Sequence, residues 1–236
     1  MRILAADTTT SVNTVAVCDG DRVLAETFVD CGRSHTERLM ATVDWVLGEA
    51  GLTLEEVEAL AISVGPGSFT GLRVGVAAWK GLALARNLPL AAVPTLDAMT
   101  RLSGFRDAVV CPLLDAKMGE VFGAIYRFDG GKRTKLTEDR VGPVEAVLDG
   151  IEPRAWFLGD GAALYQGRIM ARCTQAMFLP GLCARPRASA VAAEGIALLD
   201  GGACADAALV SPRYLRKSQP EEARRSDAGR GENAVP

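Results

Sequence analysis

The sequence predicts an α/β protein made of two similar halves, each with a mixed sheet and flanking helices. Each half opens with an apolar run typical of a buried strand, and each run ends in an aspartate: residues 3–6 precede Asp7, and residues 108–114 precede Asp115. In each half a second strand pattern follows, with a turn rich in aspartate and glycine beside it. No stretch of identity links the halves, so the inference of a duplicated unit depends on this shared order alone.

The elements of the first half follow from turn and cap signals. Asp19-Gly20 separates two strand patterns as a hairpin turn. Ser34 or Thr36 can cap a helix that ends before Gly51. The expected order is three strands, a helix, a strand, a helix and a strand. The strands are expected at residues 3–6, 12–17, 23–29, 59–64 and 90–93, and the helices at residues 36–50 and 71–86.

The second half repeats the opening and then becomes less regular. We expect an N-terminal subdomain at residues 1–103 and a smaller C-terminal subdomain at residues 104–216, whose last segment can return to pack on the first. Residues 217–236 contain almost no apolar residue except alanines, so they are predicted to form a disordered polar tail. The strands are expected at residues 108–114, 121–128 and 155–158, and the helices at residues 144–148 and 188–199.

Composition narrows the classes of function. The 236 residues are 49% apolar, which is enough to bury a core. A net charge of −3 argues against independent binding of nucleic acid, because neutralised phosphates supply most of that affinity. No apolar run reaches the length of a bilayer and no signal-peptide pattern opens the chain, so we expect a cytoplasmic protein without membrane contact. The six cysteines form no Cys-x-x-Cys pair and are expected to be reduced, not to bind zinc.

The segment GPGSFTGLRVG at residues 65–75 is the most informative feature of the sequence. It joins a predicted strand to a predicted helix, where backbone N–H groups and the helix dipole favour an anion. It lacks the Gly-Lys-Ser/Thr ending of a P-loop and the glycine spacing of a dinucleotide fingerprint. A tight turn that needs glycine backbone angles is the favoured interpretation, and a phosphate cradle stays open.

Small residues line the helix after this loop. Gly71, Gly75, Ala78 and Leu82 lie near one face, and Trp79 lies on an adjoining face. Glycine inside a helix costs about 1 kcal/mol relative to alanine, so something is expected to approach the small-residue face closely. A neighbouring helix of the same chain and a helix of another subunit are both candidates.

A tryptophan on the preceding helix suggests an interface. Met40 is counted on the apolar face of that helix, whereas Trp45 points away from this face, beside Arg38. An exposed tryptophan next to an arginine is a candidate anchor for a partner. Single exposed apolar residues are also common on surfaces that bind nothing.

Catalytic constellations are mostly missing. His35 is the only histidine, which excludes a metal site with two histidines. Ser68 is not in a nucleophile elbow, because Pro66 occupies the first glycine position. Asp7 and Asp115 could hold a hydrated metal and its nucleotide across a cleft, as in actin-like ATPases. They could equally accept hydrogen bonds from nearby turn amides, and the residues alone favour neither interpretation.

Five segments taken together resemble the TsaB (YeaZ) family. They occur in the family's order and span residues 1 to about 216. The glycine block and the segment that begins at Asp115 are the most specific. The segments are RILAADTTT (2–10), SHTERL (34–39), GPGSFTGLRVG (65–75), DAKMGEV (115–121) and PRYLR (212–216).

The resemblance implies an actin-like ATPase (ribonuclease H-like) fold of two subdomains and a role in tRNA modification. TsaB relatives are non-catalytic partners of the catalytic subunit TsaD in a heterodimer, and the ATPase TsaE joins the complex. This complex transfers threonylcarbamoyl to the adenosine 3′ of the anticodon in tRNAs that read codons starting with A. For this chain the resemblance implies no cofactor, no metal and no catalytic residue. It also implies contact with tRNA only through the complex, and a possible homodimer when the partner is absent.

The resemblance further implies that the nucleotide and metal sites are reduced. TsaD carries a histidine pair at positions i and i+4, where this chain has Thr95 and Met99. The Asp-Thr-Thr-Thr turn lacks the glycine that many family ATPases use there, and the Gly-Asp-Gly turn is a shortened adenosine loop. Strong binding of ATP is therefore not expected. The vestigial nucleotide site would comprise Asp7, Thr8, Thr9, Asp115, Gly159 and Gly161.

The expected partner surface also comes from the resemblance. In TsaB relatives the two N-terminal helices contact TsaD, which here are the helices predicted at residues 36–50 and 71–86. With Gly75 and Ala78 placed at that contact, Gly75→Leu should abolish TsaD binding without unfolding the chain. An active actin-like ATPase and, less favoured, a peptidase stay open as alternatives. The expected interface residues are Arg38, Met40, Trp45, Gly71, Gly75, Ala78, Trp79 and Leu82.

Overall fold

A computed structural model describes residues 1–30 and 38–216. Its first sheet has five strands in the order β3-β2-β1-β4-β5. Strand β2 pairs antiparallel with both β1 and β3, whereas β4 pairs in parallel with both β1 and β5. These strands are β1 (Arg2–Asp7), β2 (Asn13–Asp19), β3 (Arg22–Val29), β4 (Ala59–Gly65) and β5 (Leu90–Pro94).

Helices cover both faces of this sheet, which explains why its central strands are apolar throughout instead of alternating. On one face, α1 (Leu39–Glu49) and α2 (Phe69–Arg86) pack on side chains such as Leu4 of β1. On the other face, α3 (Thr95–Met99) and α7 (Ala188–Asp200) pack on the alternate residues of the same strands. Because successive side chains of a strand point to opposite faces of the sheet, the same strands contribute to two separate cores.

The second sheet is also mixed, with the main order β10-β7-β6-β11-β12 and with β8 joining β6 to β9. Strands β6 and β11 run in parallel, and the other partners of β6 run antiparallel to it. Its strands are β6 (Ala108–Lys117), β7 (Glu120–Gly123), β8 (Tyr126–Asp129), β9 (Lys132–Lys135), β10 (Arg140–Pro143), β11 (Arg154–Leu158) and β12 (Gln175–Phe178). Its helices are α4 (Val144–Val147), α5 (Asp160–Leu164) and α6 (Gln166–Arg172).

Most of the predicted elements are present, and the differences have local causes. The strand expected at residues 121–128 is two strands, because β7 and β8 pair with different parts of β6. Met40 is exposed, so the prediction that it lies on the buried face of its helix is wrong. The cap expected at Ser34 or Thr36, and His35, lie outside the described residues. The short strands β9, β10 and β12 and the helices α3, α5 and α6 were not predicted.

The end of the described chain returns to the first sheet. Helix α7 packs against it, and Ala205 then forms an antiparallel bridge with Leu90 of β5. Arg213 donates its backbone N–H to Val64 O at 2.7 Å. The division at residues 103 and 104 stays a prediction, but residues 188–213 pack on the first sheet. Within the described residues no helix is long and apolar enough to cross a membrane.

Candidate functional site

The first candidate feature is the turn after β1. Asp7 is fully buried, and its Oδ1 accepts hydrogen bonds from Thr9 N at 2.9 Å and from Thr9 Oγ1 at 2.7 Å. This is an Asx-type turn, in which a short carboxylate side chain satisfies amides two residues ahead. At least one oxygen of Asp7 therefore has the structural role that the sequence left open.

The glycine loop packs directly on this turn. Ser68 donates its backbone N–H to Thr9 O at 2.6 Å, and Thr8 Oγ1 donates to Gly71 O at 2.7 Å. A Cβ added at Gly67 would lie 2.5 Å from Thr9 Cβ, so only glycine allows this approach. Thr8 and Thr9 therefore pack against the loop, and the amide of Ser68 is already hydrogen-bonded within the chain. The tight-turn interpretation fits this arrangement.

Helix α2 follows the loop and packs on the first sheet with the side that carries Gly71 and Gly75. A Cβ added at Gly75 would lie 2.4 Å from Thr8 Oγ1 and 3.2 Å from Ile62 Cδ1. Trp79 has no exposed surface, and its Nε1 donates to Leu4 O at 3.3 Å.

These contacts correct part of the expected partner interface. Trp79 has no exposed surface, and Gly71 and Gly75 are buried as well, so these three residues face their own sheet and not the outer surface. The close approach that the glycines permit is made by the β1 turn and the sheet below it. Neither of the two candidates named from the sequence, a neighbouring helix or another subunit, makes this contact.

Asp115, near the end of β6, forms an ion pair with a lysine of the same chain. Asp115 Oδ2 accepts from Lys117 Nζ at 2.6 Å, and its Oδ1 accepts from Lys117 N at 2.8 Å. The hydrogen bond that Lys117 donates to Asp115 raises the pKa of the lysine above its usual value. The Lys117 side chain is 77% exposed, so this is a surface ion pair that water and salt screen.

The Gly-Asp-Gly turn is held against the same strand. A Cβ at Gly159 would lie only 2.0 Å from Leu113 O, and a Cβ at Gly161 would lie 2.9 Å from the carbonyl carbon of Leu114. Asp160 Oδ1 accepts from Asp115 N at 2.9 Å. The two glycines are therefore required by backbone packing whether or not a ligand binds there.

Thr95 and Met99, which the sequence resemblance predicts to stand where TsaD has its histidine pair, are both buried. Thr95 is fully buried and Met99 is 1% exposed, in a core cluster that also contains Leu114. The Met99 methyl carbon would lie 3.2 Å from a Cβ at Gly159, so it packs beneath the Gly-Asp-Gly turn. Among the described residues, no group of three or more histidine, cysteine, aspartate or glutamate side chains could hold a metal ion.

The second candidate feature is the outer surface of α1 and α2, which we call the helical face. Trp45 is 53% exposed, and Met40 and Leu84 are exposed as well. On α2, Ala78 and Leu82 pack against the core and are only partly buried, so they still reach the surface. Leu84 was missed from the sequence, although it is a large apolar residue off the buried stripe of α2. Arg38 is half-buried at the start of α1.

The two mixed sheets with helices on both faces define the actin-like ATPase fold. Component A of the (R)-2-hydroxyglutaryl-CoA dehydratase from Acidaminococcus fermentans shares the fold alone. Its TM-score is 0.54 at 9% identity, covering 86% of this chain and 99% of that one. YeaZ from Pseudomonas aeruginosa is far more similar. Its TM-score is 0.77 at 28% identity, covering 91% of this chain and 99% of that chain.

Sequence comparisons agree with the structural ones. The family described as "TsaD: tRNA N6-adenosine threonylcarbamoyltransferase" matches residues 29–223. The tRNA threonylcarbamoyladenosine biosynthesis protein TsaB of Escherichia coli is 41% identical over 55% of this chain, and the match spans only 56% of that protein. The protein of the same name in Haemophilus influenzae is 32% identical over 70% of this chain and 74% of its own length. The chain belongs to this family and, within it, to the TsaB (YeaZ) proteins.

Proposed function

We propose that this chain is a non-catalytic subunit required, with TsaD and TsaE, for threonylcarbamoyl transfer to the adenosine 3′ of the anticodon in tRNAs reading codons that start with A. The names of the TsaB relatives support the pathway. The observation that carries the non-catalytic role is the packing at the candidate nucleotide site. There Thr8 and Thr9 of the β1 turn pack against the glycine loop, and the amide of Ser68 donates to Thr9 O.

The helical face is the proposed contact with TsaD. Tryptophan and methionine side chains are enriched at protein interfaces, and Trp45 and Met40 are both exposed on α1, about 140° apart around its axis. Leu84 is exposed on α2. We keep Arg38, Ala78 and Leu82 in this proposed surface. TsaE would join the resulting heterodimer, tRNA would meet the chain only through the complex, and the same face could form a homodimer when TsaD is absent.

The direct test is reconstitution with the partners from the same organism. Purified TsaD and TsaE are supplied with threonylcarbamoyl-adenylate and unmodified tRNA, and modified adenosine is measured by mass spectrometry with and without this chain. We expect modification only when the chain is present. Equal modification in its absence would contradict the proposed requirement.

Trp45→Glu should weaken binding to TsaD by at least about tenfold, because it replaces an exposed aromatic anchor with a charge that must be desolvated. The measurement is the Kd by isothermal titration calorimetry. Leu164→Glu on α5 is the matched control, since Leu164 is 60% exposed on the second half of the chain. Equal effects of the two variants would argue against the helical face as the contact.

An active ATPase remains the main alternative, and MgATP binding separates it from our proposal. We expect no measurable heat when MgATP is titrated into the isolated chain, because Thr8 and Thr9 pack against the glycine loop and the amide of Ser68 already donates to Thr9 O. Micromolar affinity accompanied by phosphate release would favour the ATPase. A peptidase would need His35 together with Ser68, whose hydroxyl accepts a hydrogen bond from Gly71 N at 3.3 Å and caps α2.

A further inference from the structure

A cavity of about 290 Å³ lies beside the first two turns of α7. Residues 101–102, which follow α3, and residues 182–183 complete its wall. Its volume is near the lower limit for sites that bind small molecules, which span about 300–1,000 Å³. None of the residues that line it belongs to the turn after β1, the glycine loop or the helical face. Part of the lining is aliphatic: Leu102, Leu182, Ala190 and Ala193.

Two arginines give this cavity its charge. Arg101 and Arg187 both line it, and among the described residues no aspartate or glutamate does so. A guanidinium group stays protonated at neutral pH, and its N–H donors match the oxygens of a carboxylate or phosphate. The cavity therefore combines positive charge with aliphatic surface.

Arg187 is fixed by a carboxylate that does not line the cavity. It donates to Glu26 Oε2 from Nη2 at 2.9 Å and from Nε at 3.3 Å, and its guanidinium carbon lies 5.3 Å from the centre of the Phe28 ring. Glu26 Oε1 accepts from both the backbone N–H and the hydroxyl of Ser189 at 3.0 Å. This amide of the first turn of α7 is thus already hydrogen-bonded, so the arginines and not the helix terminus supply the positive charge. Within the described part of the chain, Nη1 of Arg187 has no acceptor.

Arg101 is held in a similar way. Its Nε donates to Glu194 Oε2 at 2.7 Å, and Glu194 is nearly buried. Arg133 donates to the same carboxylate, at 3.0 Å to Oε2 and at 2.5 Å to Oε1. Because two guanidinium groups share one carboxylate, this group keeps a net positive charge. Neither Nη group of Arg101 has an acceptor among the residues that the structure describes.

We propose that this cavity binds a small organic anion, a carboxylate or phosphate monoester that carries a compact aliphatic group. The anion accepts hydrogen bonds from the Nη groups of Arg101 and Arg187, and the aliphatic group covers the four aliphatic side chains of the lining. Both guanidinium groups are ordered before the ligand arrives, so binding costs little of their conformational entropy. The proposal goes beyond the proposed function and does not depend on contact with TsaD.

Cys183 provides a test, because its exposed thiol is part of the lining. The full-length chain is labelled with anionic iodoacetate or with neutral iodoacetamide, and the rate at each cysteine is measured by peptide mass spectrometry. Cys204 is the internal control, since it is also exposed and follows the other end of α7. Dividing the two rates at one thiol removes that thiol's own reactivity. We expect the iodoacetate to iodoacetamide ratio to be at least about fivefold higher at Cys183 than at Cys204.

Protection of the same thiol tests ligand binding directly. 4-Methylpentanoate and isobutyl phosphate are the two anionic probes, and 4-methylpentanamide is the neutral probe of similar shape. At least one anion should slow the labelling of Cys183 by iodoacetamide in a saturable way, and the pair shows whether a carboxylate or a phosphate is preferred. The amide should not protect, because it has no charge to offer the arginines.

Arg101→Met should lower the labelling ratio at Cys183 to that at Cys204 and remove the protection. Glu194 keeps its two hydrogen bonds from Arg133 in this variant, so the chain should still melt in one transition. Arg106→Met is the matched control, because it removes the same charge from an exposed residue that does not line the cavity. It should leave both the ratio and the protection unchanged.

Four results would overturn the proposal. Equal ratios at Cys183 and Cys204 in the wild-type chain would show that the cavity does not attract anions. A raised ratio without protection by either anion would mean that the arginines attract the reagent but the cavity holds no ligand. Protection by the amide as strong as by the anions would leave the arginines without a role. Equal effects of Arg101→Met and Arg106→Met would assign the preference to the net charge of the chain.

Discussion

Gly75→Ala is expected to lower the free energy of unfolding by about 3 kcal/mol, from overpacking and from loss of a buried hydrogen bond. The new methyl group would lie 2.4 Å from Thr8 Oγ1, which donates to Gly71 O at 2.7 Å. Thr8 is fully buried and sits in the turn that packs against the glycine loop. Its side chain can move away only by giving up that hydrogen bond, so helix α2 must separate from the sheet.

Gly81→Ala supplies a control of opposite sign in the same helix. A Cβ at Gly81 meets no atom within 4 Å, and the residue is exposed. Removing an interior helical glycine should therefore raise stability by about 1 kcal/mol. Urea unfolding followed by circular dichroism measures both changes. A loss of less than about 0.5 kcal/mol for Gly75→Ala would mean that the Thr8 contact tolerates a methyl group.

The same geometry changes what the Gly75→Leu variant can test. From the sequence, this substitution was expected to remove partner binding from an intact chain. In the structure, a leucine at this position would collide with Thr8 and Ile62, so loss of the fold should precede any effect on binding. Loss of TsaD binding by this variant would therefore not locate the interface, whereas Trp45→Glu would.

Arg133→Met should destabilise the chain by about 3 kcal/mol, because it removes one partner from a buried ion pair. Arg133 donates to Glu194 Oε1 at 2.5 Å, and the Glu194 side chain is only 5% exposed. It also donates to Asp97 O at 2.8 Å and to Thr100 Oγ1 at 2.9 Å. After the change Glu194 keeps only Arg101, at 2.7 Å, as an ion-pair partner among the described residues.

This ion pair also joins the two sheets. Arg133 lies on β9 of the second sheet, and Glu194 lies on α7, which packs on the first. Its loss should weaken the attachment of one sheet to the other and raise hydrogen exchange along α7. Arg127→Met on the adjacent strand β8 is the control, since Arg127 and its partner Glu152 are each more than 40% exposed. That surface pair should contribute less than about 1 kcal/mol. Similar losses for the two variants would show that burial of Glu194 does not decide the cost.

Local sequence was a good guide wherever an element is defined by its own residues. The apolar runs before Asp7 and Asp115 became β1 and β6, and the small-residue helix became α2. Long periodic segments retain their pattern in any packing, which is why they could be recognised. Strands such as β9 and β12 have four residues each, too few to show a period. They exist because neighbouring strands supply their hydrogen bonds.

The sequence predicted only part of the candidate site. The glycines at 65–75 indicate that other atoms approach the backbone closely, but they do not identify those atoms. In the structure those atoms belong to Thr8, Thr9 and Arg213, which are distant in sequence from the loop. The exposure of Trp45 could be predicted from its position on the helix. The burial of Trp79 could not, because it depends on where the sheet lies, which the pattern of the helix does not indicate.

By itself the sequence determined the family, the order of the main strands and helices, and the missing histidine pair, because these depend on residue identity and short-range periodicity. Only the tertiary structure decided what the glycine block approaches. Close backbone packing depends on which segments meet, and that is set by the two sheets and the returning C-terminal segment together. The loop that resembles a phosphate cradle packs against Thr8 and Thr9 of its own chain, while Trp45 and Leu84 stay exposed on the helices that cover one face of the same sheet.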